Sequence, residues 1–368
     1  MIELYIFNKD LELLGIIDEF EELLWERKYR AGANFILKLV PNKNNLNLIK
    51  TGNLICKKDD LKELMYIEYI EYTTNEEEKN NMLIKGISLT DRILKSRITL
   101  KRQIEKGTAN HIMNRMLLKQ TNESDNERRH IKKLVVNDDN SEQFKNTYEY
   151  NSIYKYLDEE FKSISKMDNC GFKIEVDLNN KQYIFKTYRG RDLSKSVIFS
   201  RAFDNISTEE YINSEANYKN VCVIAGQGEE EKRDLLIYKD EDFEDFDRIE
   251  LMIDARDIPQ DKEKNGDKET AITNGKEAIK LLTTRAKEKL EEKQIINNYT
   301  ADIINNNFKY KKDFDIGDIV SIRNDEINLL YSDTITEIYE EYKNGYLNIE
   351  IVFGTELITL QDKIKKIQ

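Results

Sequence analysis

The residues able to do chemistry are few and poorly grouped. Only two histidines occur. His111 lies in Ala109-Asn110-His111-Ile112-Met113, inside an expected helix, and His130 in the polar run Glu127-Arg128-Arg129-His130. Neither has a His, Cys or paired carboxylate at ligand spacing, and a working histidine normally has a partner that orients it. The three cysteines, Cys56, Cys170 and Cys222, are far apart and form no C-x-x-C pair, which argues against a disulfide framework or a zinc site and for folding in a reducing compartment. Gly226-Gln227-Gly228 follows the apolar run Val221–Ala225 and opens a G-x-G pattern. Glu229, Glu230 and Glu231 come next, where a pyrophosphate would be repelled, and no third glycine follows, so a turn between strands is expected. The run Asp240–Asp247 is the densest carboxylate cluster. It lacks the glycine and terminal glutamate of an EF-hand loop, and nothing in it sets two carboxyls across a cleft. A solvated loop anchored by Phe243 and Phe246 is expected. No catalytic residue, cofactor site or metal site is assigned.

Composition agrees. The chain has 368 residues, 58 Lys+Arg and 70 Asp+Glu, giving a formal net charge of −12. An acidic excess disfavours nucleic-acid binding through a broad basic surface. No stretch approaches the roughly 20 apolar residues of a membrane span. Met1–Phe7 has no basic segment before its apolar run and reads as a strand rather than a signal peptide.

The expected fold class is α+β, rich in β. Residues 1–103 read as an N-terminal β-barrel-like module, with strands at Ile2–Phe7, Leu23–Tyr29, Phe35–Val40, Leu54–Cys56, Met65–Tyr72 and Met82–Ser88 and turn signals between them, Asn80-Asn81 among them. Residues 104–195 read as an α+β lateral domain: a helix capped by Thr108, a second capped by Asn151 or Ser152, and a hairpin over 172–187. Residues 196–368 read as a second β-barrel-like module, with a polar loop at 259–270 and one long amphipathic helix at 275–293. Asn344-Gly345 between two alternating runs is a strong hairpin signal, because a type I′ turn needs positive φ at both positions.

An internal repeat joins the two β-rich ends. Gly52-Asn53 and Gly317-Asp318 each precede an apolar strand, and Tyr66 and Tyr331 each lie 14 residues beyond their glycine. The next hairpins also fall almost in register. A duplicated small β-module is the reading, and three chains with two such modules each would present six in a ring. Tyr66, Tyr69 and Tyr331 are candidate interface residues, with cross-strand packing inside the chain as the plain alternative.

The chain also resembles the tail-hub proteins of tailed bacteriophages and phage-tail-like bacteriocins, in particular the siphophage hubs related to tail-associated proteins. The likeness runs along nearly the whole chain: Ile2–Phe7 through Asp18, Trp25–Tyr29, Phe35–Leu39, Tyr188-Arg189-Gly190-Arg191-Asp192, Ser214–Val221 leading to Ala225–Gly228, Asp247–Leu251, Ala255–Ile258 and, most specifically, Tyr310–Val320. It implies a homotrimeric, pseudo-six-fold ring at the end of the tail tube, with tube protein on one side and tip, spike or baseplate proteins on the other. It implies a virion tail or tail-like particle assembled in the host cytoplasm, with DNA or tape-measure protein passing through the lumen unbound. Some members carry enzymatic or receptor-binding C-terminal extensions; Gln368 falls just past the second module, so none is expected and no enzyme activity is. The alternatives are a cell-wall glycan hydrolase using Asp240–Asp247 or Glu229–Glu231, and a receptor- or carbohydrate-binding tail module. The second would need aromatic platforms, whereas the single tryptophan, Trp25, falls in an expected core strand.

Overall fold

A computed structural model describes residues 2–74, 80–137, 141–265, 268–304 and 307–354. Two compact units emerge, residues 1–210 with 299–368, and residues 211–298.

The first unit opens with β1 (Leu4–Phe7), β2 (Leu13–Ile17), β3 (Glu22–Lys28) and β4 (Asn34–Leu39), then the short helix α1 (Lys43–Leu48), and β5 (Leu54–Lys57), β6 (Met65–Thr74) and β7 (Asn80–Ser88). Alternation places Leu23, Trp25, Phe35, Leu37, Ile67 and Ile84 in one core. Neither β2 nor α1 was expected; β2 leaves Leu13 and Leu14 exposed, so no period-2 signal marks it. Asn80 and Asn81 are not a turn: they begin β7, opposite Thr74 and Thr73. The hairpin tip itself lies outside the described residues.

Next come α2 (Leu89–Leu94), β8 (Gln103–Thr108), α3 (Ala109–Gln120), β9 (Leu134–Asn137), β10 (Thr147–Ser152), α4 (Leu157–Met167), β11 (Gly171–Asp177) and β12 (Gln182–Tyr188). Thr108 caps α3, its hydroxyl accepting from the His111 amide. Ile112, Met113, Met116 and Leu117 of α3 share a core with Phe161 and Ile164 of α4 and Phe172 and Phe185 of the β11–β12 hairpin. Asn151 and Ser152 do not cap α4; they lie on β10, paired with Ile104 and Gln103. The α4 cap position is Tyr156, without a side-chain bond, and Asp158, Glu159 and Glu160 in the first turn complement the helix dipole instead.

The chain continues through β13 (Ile198–Phe199) and β14 (Ile206–Ser214). Between β14 and its return strand lies the second unit: β15 (Val221–Ala225), β16 (Leu235–Tyr238), β17 (Glu250–Asp254), β18 (Asp261–Asn265), β19 (Lys268–Ile272) and α5 (Lys276–Glu291). Its core packs Leu282, Ala286 and Leu290 of α5 against Cys222 and Ile224 of β15. The expected polar loop at 259–270 is instead largely the antiparallel pair β18–β19, with Asp261 opposite Ile272.

The first unit then resumes with β20 (Ile296–Ile303), β21 (Ile319–Asn324), β22 (Leu329–Lys343) and β23 (Tyr346–Gly354). Phe199, Tyr299, Phe314, Ile335, Ile351 and Phe353 form its third core. One 13-stranded sheet runs β14-β20-β23-β22-β3-β4-β7-β6-β5-β1-β2, with β21 on β22 and β13 on β21. The molecule is thus β-rich α+β; the pairing closes no barrel among the described strands.

Candidate assembly site

The two glycine turns share one set of backbone hydrogen bonds. The Gly52 amide donates to the Ile67 carbonyl at 2.9 Å, Ile67 donates back to Asn53 at 3.0 Å, and Asn53 donates to Lys50 at 3.1 Å. In the other turn Gly317 donates to Ile335 at 2.8 Å, Ile335 to Asp318 at 2.9 Å, and Asp318 to Asp315 at 3.2 Å. The φ angles are +94° and +89°, a region that favours glycine. In each case the acceptor isoleucine sits just before a bulge, between Ile67 and Tyr69 on β6 and between Ile335 and Glu337 on β22. The strand order also repeats: β3-β4-β7-β6-β5-β1 runs parallel in sequence and in space to β14-β20-β23-β22-β21-β13. One difference is that β5 pairs antiparallel with β1 while β21 pairs parallel with β13.

The bonds match Ile67 with Ile335, so the equal 14-residue spacing to Tyr66 and Tyr331 does not mark equivalent positions. Tyr66 lies opposite Leu54 near the start of β5, and Tyr331 opposite Ile322, further along β21. The β21–β22 ladder is longer and shifts the count. Tyr66 is half-buried, with the Arg92 guanidinium 4.8 Å from its ring centre. Tyr331 is half-buried against the third core. Tyr69 is 45% exposed, its hydroxyl donating to Glu71 at 2.6 Å. Asn344 and Gly345 have φ of 52° and 80° and close the β22–β23 hairpin.

The strands β22 and β3 join the two ends of the chain. They run antiparallel from Glu337 opposite Lys28 to Lys343 opposite Glu22. A buried polar network backs this joint. Lys57 on β5 pairs with Glu340 on β22, both essentially without solvent contact. Glu340 also accepts from Tyr310 Oη at 2.8 Å and Tyr342 Oη at 2.6 Å. Arg27 on β3 donates to Tyr310 Oη at 2.8 Å and pairs with Glu63 and Asp315. Burial opposes ionisation of Glu340, but Lys57 and Lys311 outweigh it and hold its carboxyl down at about 2. Burial likewise works against the Arg27 charge, and Glu63, Tyr310 and Asp315 overcome it.

The structure also brings together two stretches that the sequence separates. A Cβ on Gly190 would lie 1.8 Å from the Gly317 carbonyl oxygen, so only glycine fits there. Beside it the Arg191 guanidinium grips Asp318, Nη2 to Oδ2 at 2.6 Å, and its amide donates to Asp318 Oδ1 at 2.7 Å. Asn53, at the equivalent backbone position, instead donates to the Leu48 carbonyl at 2.9 Å.

The groups able to do chemistry are scattered. His111 is exposed, and His130 Nε2 meets the Ser124 carbonyl at 2.9 Å. Burial pushes the thiols of Cys56 and Cys170 up to about 12 and Cys222 to about 11, which makes them poor nucleophiles. Gly226–Gly228 forms a turn between β15 and β16, with Gly226 and Asp234 bonded through their backbones. Asp240 pairs with Arg248 at 2.7 Å. Phe246 does not anchor the acidic run: it is 93% exposed, because the short helical turn Asp245–Asp247 carries no buried residue. Among the described residues no group of His, Cys, Asp or Glu could hold a metal ion, and no helix is long and apolar enough to cross a membrane.

Solved tail proteins share the fold of this chain. The chain is similar to the tail protein from Neisseria meningitidis MC58 (TM-score 0.56, 11% identity, covering 96% of this chain and 95% of that one). It is also similar to the 43 kDa tail protein of prophage MuSo2 from Shewanella oneidensis (0.54, 12%, 96% and 97%) and to prophage tail protein gp18 from Listeria monocytogenes EGD-e (0.52, 8%, 99% and 98%). No curated protein matches the sequence. Residues 3–355 match the Siphovirus ReqiPepy6 Gp37-like protein family, and the chain belongs to it.

Proposed function

We propose that this phage tail protein is a non-enzymatic hub: three copies close into a pseudo-six-fold ring that joins the tail tube to the tip, spike or baseplate. The observation that carries this reading is the repeated turn at Gly52 and Gly317 within a repeated strand order. A chain holding two related β-modules can meet a six-fold ring with three copies and still present three-fold symmetry to the other side. The buried Lys57–Glu340 and Arg27 network supports it by fixing one module against the other, as a tube wall requires. The net charge of −12 per chain fits a passage that does not hold nucleic acid, since like charge repels DNA. The particle would be a virion tail or tail-like assembly built in the host cytoplasm. The test is the native mass of the purified chain together with antibody labelling of intact tails. Three times 43.6 kDa and a label at the distal end of the tube are expected; a label spread along the tube, or lysis of purified cell walls by the protein, would overturn the proposal.

A further inference from the structure

Two arginines in the region between α2 and β9 are fixed by groups that do not neutralise them. Arg129 Nη2 donates to the Ile98 carbonyl at 2.7 Å. Arg97 donates to the Arg129 carbonyl from Nε at 3.2 Å and from Nη2 at 2.9 Å, and to the Ser96 carbonyl from Nη1 at 3.0 Å. These acceptors orient the two guanidinium groups and leave their charge uncancelled. Arg27, Arg189, Arg191 and Arg248 each meet a carboxylate; Arg97 and Arg129 meet none among the described residues. The nearby cations Lys95 and Lys101 are already paired, with Asp91 and Asp125. Burial, with Arg129 and Arg92 close by, holds the Arg97 guanidinium below its ordinary pKa, and burial does the same at Arg129. Like charges gathered in this way repel, and an anion between them would relieve the repulsion. Arginine also carries more donors than these carbonyls take up.

An aromatic surface stands beside the pair. The Thr99 amide donates to the Lys155 carbonyl at 3.0 Å, and the Leu157 amide to the Arg97 carbonyl at 3.0 Å. This sets Ile98 opposite Tyr156, as a close pair without hydrogen bonds of its own. The Ile98 carbonyl therefore points to the other edge of the segment, where Arg129 meets it. Tyr156 is 52% exposed and Tyr154 72%.

We propose that Arg97 and Arg129 hold the phosphate of a sugar phosphate unit in an anionic glycan, with Tyr156 and Tyr154 receiving the attached sugar. The guanidinium fork matches phosphate oxygens, and a tyrosine offers an apolar face with a polar edge, as a sugar ring does. A nucleic-acid strand suits the surface less well. It carries a charge at every nucleotide, whereas Glu127 opens the short helical turn that carries Arg129 and Asp125 lies just before it, both exposed. They would repel the neighbouring phosphates of a strand. A lone phosphate among uncharged sugars avoids them. The site does not depend on the proposed ring.

The experiment measures binding of the full chain to immobilised phosphomannan, to the same mannan without phosphate, and to a short oligothymidylate. Phosphomannan should bind, free mannose phosphate should compete, and plain mannan should bind roughly tenfold or more weakly. Arg129→Gln and Tyr156→Ala should each weaken phosphomannan binding by a similar factor, with native mass and far-UV circular dichroism unchanged. Absent binding to phosphomannan, equal binding to plain mannan, no competition by mannose phosphate, or unchanged binding in either variant would overturn the site. Oligothymidylate bound as tightly as phosphomannan would overturn the glycan as its ligand. Should Arg129→Gln fail to fold, Tyr156→Ala and Arg129→Lys decide: the lysine keeps the charge without the fork, and the same loss is expected.

Discussion

At the scale of single residues, the two turn glycines are equal in backbone and unequal in surroundings, and this separates their substitutions. An alanine Cβ at position 52 would meet the flexible end of Lys9 at 3.2 Å and the Tyr66 hydroxyl at an ordinary contact distance of 3.5 Å, whereas at position 317 it would come within 2.4 Å of the Tyr29 ring. Both changes force an L-residue to positive φ, at a cost of about 1–2 kcal/mol. Gly317→Ala should cost a further ~1–3 kcal/mol from overpacking. Urea unfolding should therefore rank Gly317→Ala clearly below Gly52→Ala; equal losses would contradict the packing described. The glycine spacing was legible in the sequence because a left-handed turn selects the residue. The Tyr29 contact was not, because it joins positions far apart in the chain.

The buried pair makes a second residue-scale prediction. Glu340→Gln leaves the Lys57 ammonium buried without its counter-ion, which should cost about 3–5 kcal/mol. The double variant Lys57→Met with Glu340→Gln should be less destabilised than Glu340→Gln alone, measured by the same unfolding titration. The acid response follows from the same site. The Glu340 carboxyl is held at about 2, below its ordinary 4.5, so its stabilisation is present above pH 4.5 and is lost as the pH falls from there toward 2. Acid unfolding of Glu340→Gln should be flatter over that window than that of the natural chain. Nothing local in the sequence marks Lys57 or Glu340 as buried; each sits among charged residues, and only the strand pairing removes them from water.

At the scale of elements, periodicity identified the strongly amphipathic pieces and missed those held by neighbours. The α3 cap at Thr108 and the α5 stripe were readable because one face is apolar and the ends carry suitable residues. The strand β14 was not: Ile-Ser-Thr-Glu-Glu-Tyr has no apolar alternation, and its conformation is set by pairing with β20. The separate unit at 211–298 was also hidden, since its flanking strands belong to a sheet whose other members lie elsewhere in the chain. Its core predicts a local effect. Leu282→Ala removes a fully buried side chain and should cost about 2–5 kcal/mol, read as faster amide exchange over 221–225 and 276–291. Trp25, the single tryptophan, lies in the first unit, so its fluorescence transition should stay near that of the natural chain. A matching shift in the Trp25 transition would contradict two separate cores.

At the scale of the whole molecule, the acidic charge, the scarcity of histidine and the repeat are what the proposed structural role rests on in the sequence. The two glycines mark matching turns in the sequence and the two tyrosines do not mark matching positions, because the β21–β22 ladder is longer than the β5–β6 ladder. The shared sheet between the chain ends could not be read at all: β3 and β22 are some three hundred residues apart, and no local pattern encodes such a pairing. The proposed hub stands or falls on its symmetry. A cryo-electron microscopy reconstruction of the purified oligomer measures it most directly. It should show a closed ring of three chains in which six similar sheet segments surround a central passage. A ring of any other order, or three chains whose two modules do not superpose by a rotation of about sixty degrees, would contradict it.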